Sequence, residues 1–120
     1  MVQKEILSIV VEYIKALKNS GIHFEKVILF GSSVKGAAHE WSDIDLAVIS
    51  PDFGKDRFEE RVNLARIAYT VDARLEVHPI NSREYENESW RTMIHEIKTT
   101  GKTVCHTREG GYLYATQNTG

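Results

Sequence analysis

The chain has 120 residues, 15 of them Lys or Arg and 17 Asp or Glu, for a formal net charge of −2. That length accommodates one domain with a real core and leaves no room for two, while the charge balance argues against a broad nucleic-acid-binding face, which needs clustered Lys and Arg. The single cysteine, Cys105, excludes an internal disulfide and a thiolate metal cluster, and reads as a small apolar packing residue.

The first 21 residues, MVQKEILSIVVEYIKALKNSG, lack a basic region followed by an apolar block and a cleavage site. No apolar run approaches the ~20 residues needed to cross a bilayer, so a cytoplasmic protein is expected. Ile6, Ile9, Val10, Tyr13, Ile14 and Leu17 recur at helical spacing, and Asn19-Ser20-Gly21 ends that helix. KVILF, residues 26–30, is short, apolar and β-branched, which predicts a buried strand. Gly31 and Ser32 break it, a short helix begins within SVKGAA, and DIDLAVIS (43–50) forms a second strand stopped by Pro51. In residues 56–71, Phe58, Val62, Ala65 and Tyr69 form one helical stripe, while Leu64, Ile67 and Val71 lie on the other side. A helix apolar on more than one face is expected to be deeply buried or to touch a partner.

ARLEVHPI (73–80) alternates as a third strand. Asn81 or Ser82 then caps a last helix, with Trp90, Met93, Ile94 and Ile97 inward, until Gly101 ends it. KTVCHT is a short edge strand, and the glycine-rich segment after it has no periodicity, so Tyr112 and Tyr114 belong to a frayed terminus. The domain spans 1–108 and a loose tail 109–120. This order of elements specifies an α/β (α+β) fold with helices packed against one face of a small β-sheet.

One stretch does not suit a core strand. Asp43 and Asp45 flank Ile44, so strand alternation puts both carboxylates on one face, about 6.6 Å apart along the chain. Ile44, Leu46 and Val48 point the other way, into the core. Two such carboxylates repel unless a cation or hydrogen bonds relieve them, and Mg²⁺ or Mn²⁺ prefers carboxylate oxygens. The pair reads as a metal cradle. In the third strand, Arg74, Glu76 and His78 share a face opposite Leu75 and Val77. If that strand neighbours the aspartates, Glu76 completes the three-carboxylate cluster that two-metal phosphoryl or nucleotidyl transfer requires. Arg74, His78, His39 and the rings of Trp41 and Trp90 are read as surface or packing residues.

The glycine turn supplies an anion site: Gly31 lets the backbone approach a phosphate, the Ser32 hydroxyl donates to it, and Lys35 meets a second phosphate one helical turn on. Gly31 and Gly36 have Walker spacing, but Ala37 and Ala38 follow where that motif needs Lys and Ser or Thr, so a P-loop is excluded.

Gly31-Ser32, ten residues, then Asp43-Ile44-Asp45 resembles the signature of the polymerase-beta-like nucleotidyltransferase superfamily. Length and element order resemble its minimal nucleotidyltransferase (MNT) branch, with the motif covering 29–50 and the compatible order reaching about residue 100. The resemblance implies a mixed sheet and a site for Mg²⁺ (or Mn²⁺) and a nucleoside triphosphate such as ATP. Asp43, Asp45 and Glu76 are the metal-binding and catalytic set it implies, and Gly31, Ser32, Ser33 and Lys35 the nucleotide-binding set. Relatives commonly carry Arg where Lys35 stands, and the third acid is often Asp. The resemblance further implies AMP transfer to a hydroxyl of a partner, a HEPN-type toxin, with homo- or hetero-oligomers and an antitoxin role. The alternative it leaves open is a non-catalytic antitoxin-type module with a vestigial nucleotide site. A manganese-dependent glycosyltransferase, which also uses Asp-x-Asp, would normally be much larger.

Overall fold

The computed structural model describes residues 3–36, 42–88 and 90–107, and the backbone of 108 and 111–114. Helix α1 (Lys4–Asn19) leads into strand β1 (Lys26–Phe30), the single turn α2 (Ser32–Lys35) and β2 (Ile44–Ser50). Helix α3 (Arg57–Tyr69) crosses to β3 (Leu75–Asn81), followed by α4 (Ser82–Asn87), α5 (Thr92–Thr100), β4 (Lys102–Arg108) and β5 (Gly111–Tyr114). The strands form one mixed sheet in the order β3-β2-β1-β4-β5. β2 and β3 run parallel and the other pairs antiparallel. A parallel pair needs a long crossover, which α3 supplies.

The two long helices cover one face, as the periodicity requires. Tyr13, Ile14 and Leu17 of α1 and Leu64 and Ala68 of α3 pack on Val27, Leu29, Leu46, Val48 and Val77. Ile28, Phe30, Ala47 and Ile49 point the opposite way, where Ile94 and Ile97 of α5 and Ile80 make a second, smaller apolar layer. β1 and β2 are thus buried on both faces, which explains their nearly unbroken apolar runs. β3 is an edge strand and can hold Pro79, whose missing N–H would interrupt an inner ladder.

Four expectations change. The last helix is two, α4 and α5, with Asn81 capping the first through hydrogen bonds from the Arg83 and Glu84 N–H groups. Trp90 and Met93 do not face inward; they are 76% and 40% exposed. α3 buries only Leu64 and Ala68, leaving Phe58 and Tyr69 both 78% exposed, because a crossover helix on a single sheet face can bury only one stripe. β4 is not an edge, since β5 pairs with it; residues 111–114, read as part of a loose tail, supply that strand. Gly101 ends α5 as expected, where a Cβ would lie 2.8 Å from the Ile28 side chain. Among the described residues, no helix is long and apolar enough to cross a membrane.

Tyr13 ties α1 to α3. Its ring is fully buried and its hydroxyl donates to the Leu64 carbonyl at 3.0 Å. Burial disfavours the phenolate and pushes this pKa far above the ordinary 10.0. The unfolded chain therefore releases the proton first as pH rises. The contribution is fully present below pH 10 and is lost above it, by about 1.4 kcal/mol per pH unit. Tyr13→Phe is expected to lose the hydrogen bond at pH 8, about 1 kcal/mol, yet show a flatter alkaline decline. Urea unfolding at several pH values checks both.

Candidate metal and nucleotide site

The acidic cluster follows from strand register. Asp45 and Glu76 are direct partners across the parallel β2–β3 pair, so their side chains leave the same sheet face side by side. His78 lies two residues on, on that same face. Its Nε2 is 3.5 Å from Asp45 Oδ1, and its ring lies 5.5 Å from that of Phe30. Donor atoms of Asp45, Glu76 and His78 all lie within 4.8 Å of one another. Asp45 is half-buried, Glu76 exposed and His78 buried.

Gly31 completes this arrangement from β1. Phe30 pairs with Asp45, which brings the next residue onto the carboxylate. A Cβ at Gly31 would stand 2.7 Å from Asp45 Oδ2, and Gly31 has φ 80° and ψ −151°, a conformation essentially restricted to glycine. The residue is required twice, for backbone shape and for space. The glycine turn thus sits directly against the second aspartate of the Asp-x-Asp pair, Asp45.

Residues 7–99 match the family model of the nucleotidyltransferase domain. The chain belongs to this family. Its fold resembles a nucleotidyltransferase-like protein of Sulfolobus solfataricus at 17% identity and TM-score 0.63, covering 91% of this chain and 86% of that one. A toxin–antitoxin complex with AMP-PNP matches at 26% identity and TM-score 0.55, over 80% of this chain and 72% of that one. A Shewanella oneidensis complex of MNT antitoxin with a tri-AMPylated HEPN toxin matches at 22% identity and TM-score 0.54, over 87% and 75%. No curated protein shows significant sequence similarity to the chain.

Within this nucleotidyltransferase domain the residues anticipated from sequence fall into three groups. Asp45, Glu76 and Gly31 converge. Asp43, exposed and one residue before β2, is not among the donors within 4.8 Å of one another. The turn residues flank the cluster: Ser32 is half-buried, and Ser33 is buried with an Oγ that has no hydrogen-bond partner among the described residues. Such a buried hydroxyl costs about 1–3 kcal/mol until something bonds it. α2 is a single turn, too short to add much macrodipole, so anion binding there rests on individual N–H and O–H groups. Lys35 is engaged by Glu96 of α5 at 3.3 Å. His39 and Trp41 lie outside the described residues. Arg74 is held by Asp72 and Glu5, at 3.1 and 3.5 Å, and its hydrogen bond keeps the Asp72 carboxyl below the usual range.

His78 was read as a surface residue. Its sharing a face with Glu76 was the available signal, but nothing in the sequence showed that β3 lies beside β2. Its Nδ1 is buried without a hydrogen-bond partner among the described residues. A proton on Nε2 would point toward Asp45 Oδ1, whereas one on Nδ1 meets no acceptor among the described residues. Nε2 can donate to Oδ1 or lend its lone pair to a cation, but not both. Two carboxylates suit Mg²⁺ or Mn²⁺, and imidazole as a third donor favours the latter. The donor set fits a divalent ion.

Proposed function

We propose that this chain transfers a nucleoside monophosphate, AMP from ATP, to a hydroxyl on a partner protein, in the manner of an antitoxin acting on a HEPN-type toxin. The observation that carries the reading is the convergence of Asp45, Glu76 and His78 against Gly31. The likeness to the AMP-PNP and AMPylated complexes supports the choice of adenosine and of a protein acceptor.

Asp45 and Glu76 would hold divalent ions, with Asp43, exposed at the mouth of β2, as the further carboxylate that would have to turn inward to join them. When bound, Mg²⁺ would supply charge neutralisation for the triphosphate and for displacement at the α-phosphorus. His78 steadies Asp45 from the side. The Ser33 hydroxyl, unpartnered among the described residues, Ser32 and the turn's N–H groups would receive the phosphates. The acceptor oxygen forms a bond to the α-phosphorus as the bond to the β-phosphate bridge breaks. Pyrophosphate leaves, and the acceptor proton passes to the Glu76 carboxylate, which is open to water. Little covalent chemistry is asked of the protein; placement and charge do the rest.

Lys35 must exchange Glu96 for a phosphate. An ion pair this exposed contributes only ~0–1 kcal/mol, so the exchange is easy. Glu96→Gln is expected to tighten triphosphate binding by about 1.5- to 5-fold, measured by titration with a fluorescent ATP analogue.

The direct test incubates the chain with the product of the adjoining gene, Mg²⁺ and ATP labelled at the α- or the γ-phosphate. Label from the α position alone should remain on the partner through denaturing electrophoresis and vanish with chelator. Tight binding without label would instead support the second reading, a non-catalytic antitoxin-type module. The Lys35–Glu96 pair and the outlying Asp43 are what favour that reading.

A further inference from the structure

Beside the acidic cluster, on the edge of β3, is a cavity of about 150 Å³ whose lining includes Arg57, Arg61, Arg91, Met93 and His78. Its only lining carboxylate among the described residues is Glu84, whose side chain is 8% exposed and whose Oε2 accepts from both Arg57 and Arg91 at 3.2 Å. Arg91 also meets Glu88 at 2.8 Å, outside the lining. Arg61 is exposed and has no ion-pair partner among the described residues. Two carboxylates, Glu84 and Glu88, thus serve Arg57 and Arg91, and the Arg61 guanidinium is left over. This excess of positive charge is local, because the chain as a whole carries −2.

Position says what the charge is for. α2 and the Gly31 turn pack on β1 and β2, whereas the cavity opens at β3, on the far side of Asp45 and Glu76. His78 belongs to both the cluster and the cavity wall. A triphosphate held at the turn would leave this cavity, lined from β3, α3, α4 and α5, open to a second molecule. Phe58 and Trp90, the chain neighbours of Arg57 and Arg91, are 78% and 76% exposed. Exposed apolar side chains beside a cavity that holds three guanidiniums, Arg61 without an ion-pair partner among the described residues, suit a polypeptide that brings carboxylates, which guanidinium forks bind in a planar, paired geometry.

We propose that this cavity docks an acidic segment of the acceptor protein, one whose Asp or Glu side chains flank the reacting hydroxyl. That the segment belongs to the acceptor rests on the transferase reading; the binding itself does not. The test uses the full chain without nucleotide or metal and a fluorescein-labelled random copolymer of Glu and Tyr, read by anisotropy at low salt. The copolymer should bind, Arg61→Glu should weaken it by about tenfold or more, and Lys15→Glu on α1 should leave it unchanged. A Lys–Tyr copolymer should prefer the Arg61→Glu variant. The proposal is overturned if wild type fails to bind, if both variants bind like wild type, or if Lys15→Glu weakens binding equally. It is also overturned if Arg61→Glu spares the copolymer and weakens ATP binding, which would make the cavity a nucleotide site. Adding labelled ATP and Mg²⁺ to the same mixtures separates the two ideas. Arg61-dependent binding without label transfer would remove the enzyme and keep the docking site.

Discussion

Asp45→Asn is expected to lower nucleotidyl transfer by about 100- to 1,000-fold or more while leaving the unfolding midpoint unchanged or slightly raised. Asn preserves the shape that fits under Gly31 and still accepts from His78 Nε2. What disappears is one negative charge in a trio whose donor atoms lie within 4.8 Å of one another. Without a cation, that charge repels Glu76, so its loss does not harm the fold; with a cation, it is a principal ligand. Activity and stability therefore move in different directions, which a merely structural aspartate would not produce. Asp43→Asn should share the catalytic loss but gain no stability, because its carboxylate lies outside the trio. Transfer assays and thermal melts on both variants decide the matter. Normal transfer by either one removes its metal role.

Gly31→Ala should damage both the fold and the site. The backbone at φ 80° and ψ −151° costs an L-residue about 1–3 kcal/mol, and the new Cβ would lie 2.7 Å from Asp45 Oδ2. Either the strand end shifts or the carboxylate rotates out of the cluster, so both stability and transfer should fall. A double-mutant cycle with Asp45→Ala separates the causes. Removing the carboxylate relieves the clash but not the backbone strain, so a coupling of about 1 kcal/mol is expected in urea unfolding. An additive cycle would mean that Asp45 does not sit against the turn, and the assembled site would have to be redrawn.

Much of this architecture is legible in the residues because it depends on local periodicity. The spacing of Ile6, Val10, Tyr13, Ile14 and Leu17 marks α1, the apolar runs mark β1 and β2, and Asn81 does cap the helix that follows β3. Trp90, Met93, Phe58 and Tyr69 were harder, because apolarity reports a preference for burial and not whether any surface is available to bury against. The break between α4 and α5 lacks Gly or Pro. Its ends are held by Arg91 reaching Glu84 and Glu88, polar contacts that a reading of apolar periodicity does not register.

The site divides along the same line. That Asp43 and Asp45 alternate with Ile44, that Gly31 interrupts a strand and that the ten-residue spacing resembles a known signature are properties of the chain itself, since alternation and backbone preference act between near neighbours. Which of these groups meet is a matter of strand order. Placing β3 parallel to β2 and in register at Asp45–Glu76 brings His78 into the cluster and leaves Asp43 at its mouth. The same pairing, with α3 and α5 on either side of the β3 edge, gathers three arginines around one buried glutamate. Such proximity depends on packing energies summed over the whole domain, so only the assembled fold determines it.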